Sequence, residues 1–198
     1  MAISDKIMTF PGRVPGWERS LLARYFNGCA LEVMLEHAGK VTELAADVCC
    51  CIGLDAAVGR FVTEAAMLHD IGVCRVHAPG IGVNGADPYI MHGIIGRKIL
   101  ESEGLPEHAL VCERHIGVGL TVDDIRDGGL PLPHRDMRPC SIPEEIICFS
   151  DLFYSKKPGA AAVRKSPEQV RASLAGFGPG KVSVFDRWME RYGAAVSR

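Results

Sequence analysis

No C-x-x-C pair occurs in this sequence, although it contains eight cysteines: Cys29, Cys49, Cys50, Cys51, Cys74, Cys112, Cys140 and Cys148. That absence argues against zinc-finger and dithiol redox chemistry. The run Cys49-Cys50-Cys51 suits helix packing better than a disulfide framework. The thiols are therefore expected to be reduced, mostly small buried hydrophobes of a cytoplasmic protein, with no nucleophilic role. Excess positive charge is also missing. Lys and Arg number 22 against 24 Asp and Glu, for a net charge of −2. This excludes strong sequence-independent attraction to a nucleic-acid polymer or an anionic membrane, while leaving room for a small anion in a local basic pocket. No apolar run approaches the ~18 residues of a membrane span. The opening MAISDKIMTF has no long apolar core behind a basic start, so neither a span nor a signal peptide is expected. There is no repeat, no low-complexity tract and little strand-like alternation. The Gly-rich stretch 74–87 lacks G-K-[ST] and follows no strand, so it is no P-loop.

What is present is helical periodicity. With 198 residues, 47% hydrophobic and 23% charged, the chain reads as one ordered all-α domain. Apolar residues at helical spacing run from Cys29 to Cys51, and Gly53 ends that helix. A second helix covers 56–70, with Gly72 as a left-handed C-terminal cap. Pro88 opens a helix to about Glu103, and Pro106 one to about Ile116. Thr121 with Asp124 has the form of a capping box, Ser141 with Glu144 starts a helix to about Ser155, and Ser166-Pro167-Glu168-Gln169 starts another. A last helix spans about 181–192. Residues 11–17, 74–87 and 127–140 read as loops, the latter two long enough to be functional.

Several polar residues sit where a core residue belongs. His37 lies on the stripe Val33, Val41, Leu44. His92 shares a face with Ile95, Gly96 and Ile99. His115 follows Val111 and Cys112 by four and three residues, and Asp151 follows Ile147 and Cys148 by the same offsets. The adjacent pair His69-Asp70 ends a run of small apolar residues. Burying imidazoles and carboxylates without compensation would cost several kcal/mol. A divalent cation removes that cost, because both groups are good ligands for first-row metals.

The order His37, His69-Asp70, His92, His115, Asp151 resembles the HD superfamily of metal-dependent phosphohydrolases, and HDIGV resembles its HDIG subgroup. The resemblance covers about residues 30–155. Beyond it, SKKPG and the C-terminal helices resemble uncharacterised bacterial HDIG proteins. It implies a single helical bundle with a central metal site, with a lead-in segment 1–28, an HD domain 29–155 and a helical extension 156–198. It implies that His37, His69, Asp70 and Asp151 hold one ion. Asp70 would bridge to a second, held also by His92 and His115. His69 and Asp70 would be the catalytic pair, and a hydroxide bridging the metals the nucleophile toward a phosphoester or phosphoanhydride, such as that of a nucleotide. Fe, Mn, Zn, Ni and Co all suit such ligands. The same six residue types also occur in mixed-valence di-iron oxygenases such as myo-inositol oxygenase, and a non-catalytic metal-bound sensor would share them too.

Two departures qualify the resemblance. Val73 stands where the phrase often continues with Lys, so that cation must come from Arg75 or elsewhere. The GYP motif of cyclic-di-GMP phosphodiesterases is replaced by Ile116-Gly117-Val118 after His115, which argues against that activity. For a small phosphorylated substrate, Lys156 and Lys157 after Asp151, and His134, Arg135 and Arg138 in the second long loop, are the candidate contacts. Gly80, Gly82 and Gly85 are expected to let a cover pass close to the metals. Arg97 and Arg114 are expected to pair with acids.

Overall fold

A computed structural model describes residues 16–157 and 163–196. Residues 11–15 of the first expected loop, and Pro158-Gly159 of SKKPG, lie outside the described residues. The elements in order are α1 (Trp17–Tyr25), α2 (Gly28–Cys51), α3 (Ala56–Leu68), a 3-10 turn (Ile71–Arg75), β1 (His77–Ala78), β2 (Val83–Asn84), α4 (His92–Ser102), α5 (Pro106–Arg114), α6 (Val122–Asp127), α7 (Ile142–Asp151), α8 (Pro167–Ala175) and α9 (Pro179–Tyr192). The all-α expectation stands. The single sheet among the described residues pairs His77 with Asn84 and Ala78 with Val83, antiparallel.

α2 runs through the whole molecule. Its buried face is Ala30, Val33, Met34, His37, Ala38, Val41, Leu44, Ala45 and Val48, a three-and-four spacing that holds one side inward over 24 residues. At ~1.5 Å per residue that is roughly 36 Å. Its first half packs with α1, α4 and α5 around Leu68, Ile71, Ile99 and Leu100. Its second half packs with α3, α7, α8 and α9 around Ile146, Phe149, Phe153, Phe185 and Tyr192. His37 stands between Met34 of the first cluster and Val41 of the second. The C-terminal helices thus bury their apolar faces in the same cluster as α2 and α7.

Helix ends follow local chemistry. Gly53 takes φ +67° after α2, and the Asp55 carboxylate accepts from the Ala57 N–H at 2.7 Å to start α3. Thr121 with Asp124, and Ser166 with Gln169, form complete capping boxes. Ser141 caps α7.

Several expectations need correction. α1 lies in the segment read as a lead-in. Pro88 is followed by a 3-10 turn, Tyr89–Met91, so α4 begins only at His92. α7 ends at Asp151 rather than Ser155. The stretch 74–87 carries the short hairpin, within which Gly85 meets the Arg75 carbonyl closely.

The sharpest difference is Gly72, which is not among the left-handed glycines. It is required for proximity instead. A Cβ on Gly72 would fall 2.0 Å from the His92 carbonyl oxygen and 2.3 Å from the Gly96 nitrogen. On the other side of α4, a Cβ on Gly93 would fall 2.8 Å from the Cys112 carbonyl oxygen. α4 is therefore pressed between the turn that follows Asp70 and helix α5, and this sets His92 beside both Asp70 and His115.

Candidate metal centre

The six residues singled out on inward stripes meet at the seam between the two hydrophobic clusters. His37 comes from the middle of α2, His69 and Asp70 from the end of α3, His92 from the start of α4, His115 from the end of α5 and Asp151 from the end of α7. His37 and His69 are fully buried, and Asp70 and His115 are 1% exposed. Asp151 is the ligand candidate open to solvent, with 16% of its side chain accessible.

Ring orientation is fixed from behind. His69, His92 and His115 each place Nδ1 on a backbone carbonyl three residues earlier: Ala66 at 2.6 Å, Tyr89 at 2.7 Å and Cys112 at 2.8 Å. A carbonyl only accepts, so Nδ1 carries the hydrogen and Nε2 is the atom turned to the centre. There the Nε2 atoms of His92 and His115 lie 3.1 Å apart, and those of His37 and His69 3.3 Å. Between His92 and His115, two lone pairs facing each other at that distance repel. Bonds of about 2.1 Å from both to one cation would produce about that spacing.

Asp70 faces both pairs. Its Oδ2 is 3.2 Å from His37 Nε2 and 3.0 Å from His69 Nε2, while its Oδ1 is 3.5 Å from His92 Nε2 and 3.4 Å from His115 Nε2. Asp151 Oδ1 joins the first side, 3.1 Å from His37. Two groups thus have metal-ligand spacing, His37-His69-Asp70-Asp151 and Asp70-His92-His115, with ligand atoms within 4.8 Å of one another and Asp70 common to both. Both Asp70 oxygens and Asp151 Oδ1 are buried without a hydrogen bond of acceptable geometry. Carboxylate oxygens gathered beside imidazole nitrogens form a donor set that fits divalent cations.

The electrostatics agree. Burial would raise the Asp70 and Asp151 carboxyls, but the Lys156 ammonium and the neighbouring imidazoles hold both well below the usual carboxylate range. Burial would also depress His69, yet Asp70 and Asp151 push it up to about 10, so a proton and a metal ion compete for its Nε2. His92 is pulled down to about 4, chiefly by burial, so its ring is neutral at ordinary pH and available as a ligand.

A cavity of about 440 Å³ opens beside the centre, walled by Tyr89, Tyr154, Ser155, Lys156, Lys157, Lys165 and the turn at Gly80 and Ile81. Lys156 joins it to the carboxylates, with its Nζ 2.6 Å from Asp70 Oδ2 and 4.0 Å from Asp151 Oδ1. Lys156 and Lys157 both line this cavity. His134, Arg135 and Arg138 are exposed and none lines this cavity. Arg135 Nε donates to Glu113 at 2.7 Å, and Arg138 is tied to Asp136. The physical reason is local pairing: each guanidinium has a carboxylate within reach that cancels its charge. Arg97 pairs with Glu101 and Glu113, and Arg114 with Glu144 at 3.0 Å. Arg75 is exposed and lines no part of the cavity, and Val73 is buried; among the described residues Lys156 is the cation that pairs with Asp70. Lys165, Tyr89 and Tyr154 also line the cavity, and nothing in their local spacing marks them for it.

No family model matches the chain. Over 137 residues, 66% of this chain and 72% of the relative, it is 34% identical to the uncharacterized protein MJ0778 of Methanocaldococcus jannaschii. Its fold is similar to the HD domain of the L. monocytogenes phosphodiesterase PgpH, with a TM-score of 0.53 at 13% identity over 91% of this chain and 97% of that one. The chain belongs to the family of MJ0778, and its fold is that of an HD domain. The same PgpH domain in complex with cyclic-di-AMP gives a TM-score of 0.50 at 15% identity, over 85% of this chain and 91% of that one. The chain is also 30% identical over 125 residues to a tRNA (cytidine(56)-2'-O)-methyltransferase of Picrophilus torridus, and 28% identical over 139 residues to that of Thermoplasma volcanium. The matched stretches span 32% and 36% of those two proteins, about a third of each.

Proposed function

We propose that this HD domain is a metal-dependent phosphohydrolase that cleaves a phosphoester or phosphoanhydride in a small anionic substrate. The observation that carries the reading is Asp70, whose two oxygens face two separate pairs of imidazole Nε2 atoms. That arrangement supports two ions sharing one carboxylate, with His37, His69 and Asp151 completing one set and His92 and His115 the other. Divalent ions held there would lower the pKa of a shared water toward neutrality and neutralise phosphoryl oxygens.

The chain's own residues do the remaining work. The carbonyls of Ala66, Tyr89 and Cys112 hold three rings so that Nε2 faces inward. Burial of the centre strengthens every charge interaction within it. Asp151, the partly exposed member, lies on the side where a substrate enters. Lys156 offers its ammonium at the boundary between the carboxylates and the cavity, where it can hold a phosphate oxygen. The PgpH domain, with a similar fold, is described in complex with cyclic-di-AMP, a small phosphorylated nucleotide, which is consistent with a substrate of this class.

The test is turnover by protein loaded with Mn(II) or Fe(II) on a panel of phosphate mono- and diesters and nucleotides, with Asp70→Ala as the control. Release of phosphate or a nucleotide product by the wild type alone supports the reading, and activity retained with redox-inert Zn(II) sets hydrolysis apart from oxygenase chemistry. Fully metallated protein that is inert across the panel sinks it.

A further inference from the structure

Three lysines from two separate segments line one cavity. Lys156 and Lys157 follow α7, and Lys165 precedes α8. Among the described residues that wall it there is no carboxylate; the polar remainder is Tyr89, Tyr154 and Ser155. Like charges so gathered repel one another; Asp70 Oδ2, 2.6 Å from the Lys156 Nζ, answers one of them, and an anion in the cavity would answer the others.

The arrangement is built rather than incidental. The Lys165 backbone N–H donates to the Phe153 carbonyl at 2.9 Å, and its Nζ donates to the carbonyls of Leu152 at 3.1 Å and Tyr154 at 3.4 Å. Two of its three ammonium protons are used in this way, which leaves one for the cavity. The same bonds pin residues 152–154, the segment that leads from Asp151 to Lys156 and Lys157. Lys165 is half-buried and depressed below the usual lysine range, first by burial and further by Lys156 and Lys157, with Asp151 opposing.

Lys156 already spans the distance from this cavity to Asp70 Oδ2. A phosphate reacting at Asp70 engages that end, which leaves Lys157 and Lys165 as cations without a partner on the substrate. We infer that the cavity seats a second phosphate, so that the substrate of the Asp70 centre carries at least one phosphate beyond the group attacked. A volume of about 440 Å³ suits a ligand of that size. The inference rests on the hydrolase reading only for the attacked group; the preference of the cavity for a second anion stands on the lysines.

The experiment is isothermal titration of the full, metal-loaded chain with adenosine 5'-monophosphate, adenosine 5'-diphosphate and adenosine 3',5'-bisphosphate. Wild type is expected to bind at least one doubly phosphorylated compound about tenfold or more tightly than the monophosphate. Lys157→Ala and Lys165→Gln are each expected to remove most of that gain, while Kd for the monophosphate moves about threefold or less. Lys157 is exposed, so its variant keeps the test alive if Lys165→Gln fails to fold. Equal binding of all three compounds, or a gain that survives both substitutions, overturns the inference. A lysine-dependent gain without turnover would leave the second-phosphate site standing and remove the hydrolase reading. Turnover with no such gain would do the reverse.

Discussion

Gly72 and Gly96 meet backbone to backbone, and a Cβ on Gly72 would lie 2.3 Å from the Gly96 nitrogen. Neither partner is a flexible side chain that can swing aside. The turn after Asp70 and helix α4 can approach this closely only because both positions lack a side chain, and His92 rides on the helix so placed.

Gly72→Ala should therefore be among the most damaging single substitutions. Overpacking against backbone costs ~2–3 kcal/mol or more, which for a domain of this size is a fall on the order of 5–10 °C in Tm. Calorimetry checks the stability. Metal content checks the geometry, since the displaced atom is the His92 carbonyl. A variant that melts like wild type and binds the same metal would show that the contact is looser than described.

Asp70→Ala and His92→Ala should differ in kind. Asp70 belongs to both ligand groups and His92 to one. Elemental analysis should find that Asp70→Ala loses metal from both groups, whereas His92→Ala retains the ion held by His37, His69 and Asp151. Equal metal content in the two variants would contradict a shared carboxylate.

Glu113 is a buried carboxylate, 3% exposed, clamped between Arg97 of α4 and Arg135 of the second long loop. Glu113→Ala should destabilise the protein by ~1–2 kcal/mol, less than a fully buried pair would, because both arginines can turn to water. Urea unfolding should show a lower midpoint at unchanged slope. Glu113 lies two residues before His115, so weaker metal retention should accompany the loss.

The thiols give a pH dependence. Burial raises Cys49 to about 11 and holds Cys112 and Cys148 well above the ordinary thiol value. The folded values lie above the unfolded ones, so the unfolded chain releases these protons first. Stability is then fully present below about pH 8.5 and declines as pH rises, with the Cys49 share lost between about 9 and 11. Denaturant midpoints measured from pH 7 to 10.5 should fall accordingly. At neutral pH a thiol reagent should modify exposed Cys29, Cys50 and Cys140 and spare Cys49, Cys112 and Cys148 in the native protein. Rapid modification of Cys112 in native protein would contradict the burial described here.

Much of this was legible in the sequence, for a common reason. The stripe Val33-His37-Val41-Leu44 and the offsets before His115 and Asp151 are helical periodicities, and periodicity reports which side faces inward. Inward histidines and aspartates must find something to bind, so the ligand candidates stood out one element at a time. Capping boxes at Thr121 and Ser166 were equally local. What was hidden depends on where elements meet. α1 is short and buries only Leu21 and Leu22, too few residues to show a period. Gly72 carries the usual mark of a helix-ending glycine, and only the packed structure shows that nearness to α4 is what it supplies. The basic loop 134–138 resembled an anion site because sequence shows charge without showing its partner, and Glu113 and Asp136 cancel it. Lys165 gave no signal, since its neighbours in the cavity wall come from Tyr89 and from the end of α7.

The carbonyls behind the histidines carry a last consequence. Ala66 and Cys112 sit in the final turns of α3 and α5, where backbone oxygens have no further helical N–H to accept. His69 and His115, each at the residue that closes its helix, supply that missing donor from their own rings. Each helix end is thus its own protractor: finishing the helix and aiming the ligand are one act, encoded within three residues. The tertiary fold has then only to bring these two pre-aimed ends to a common point.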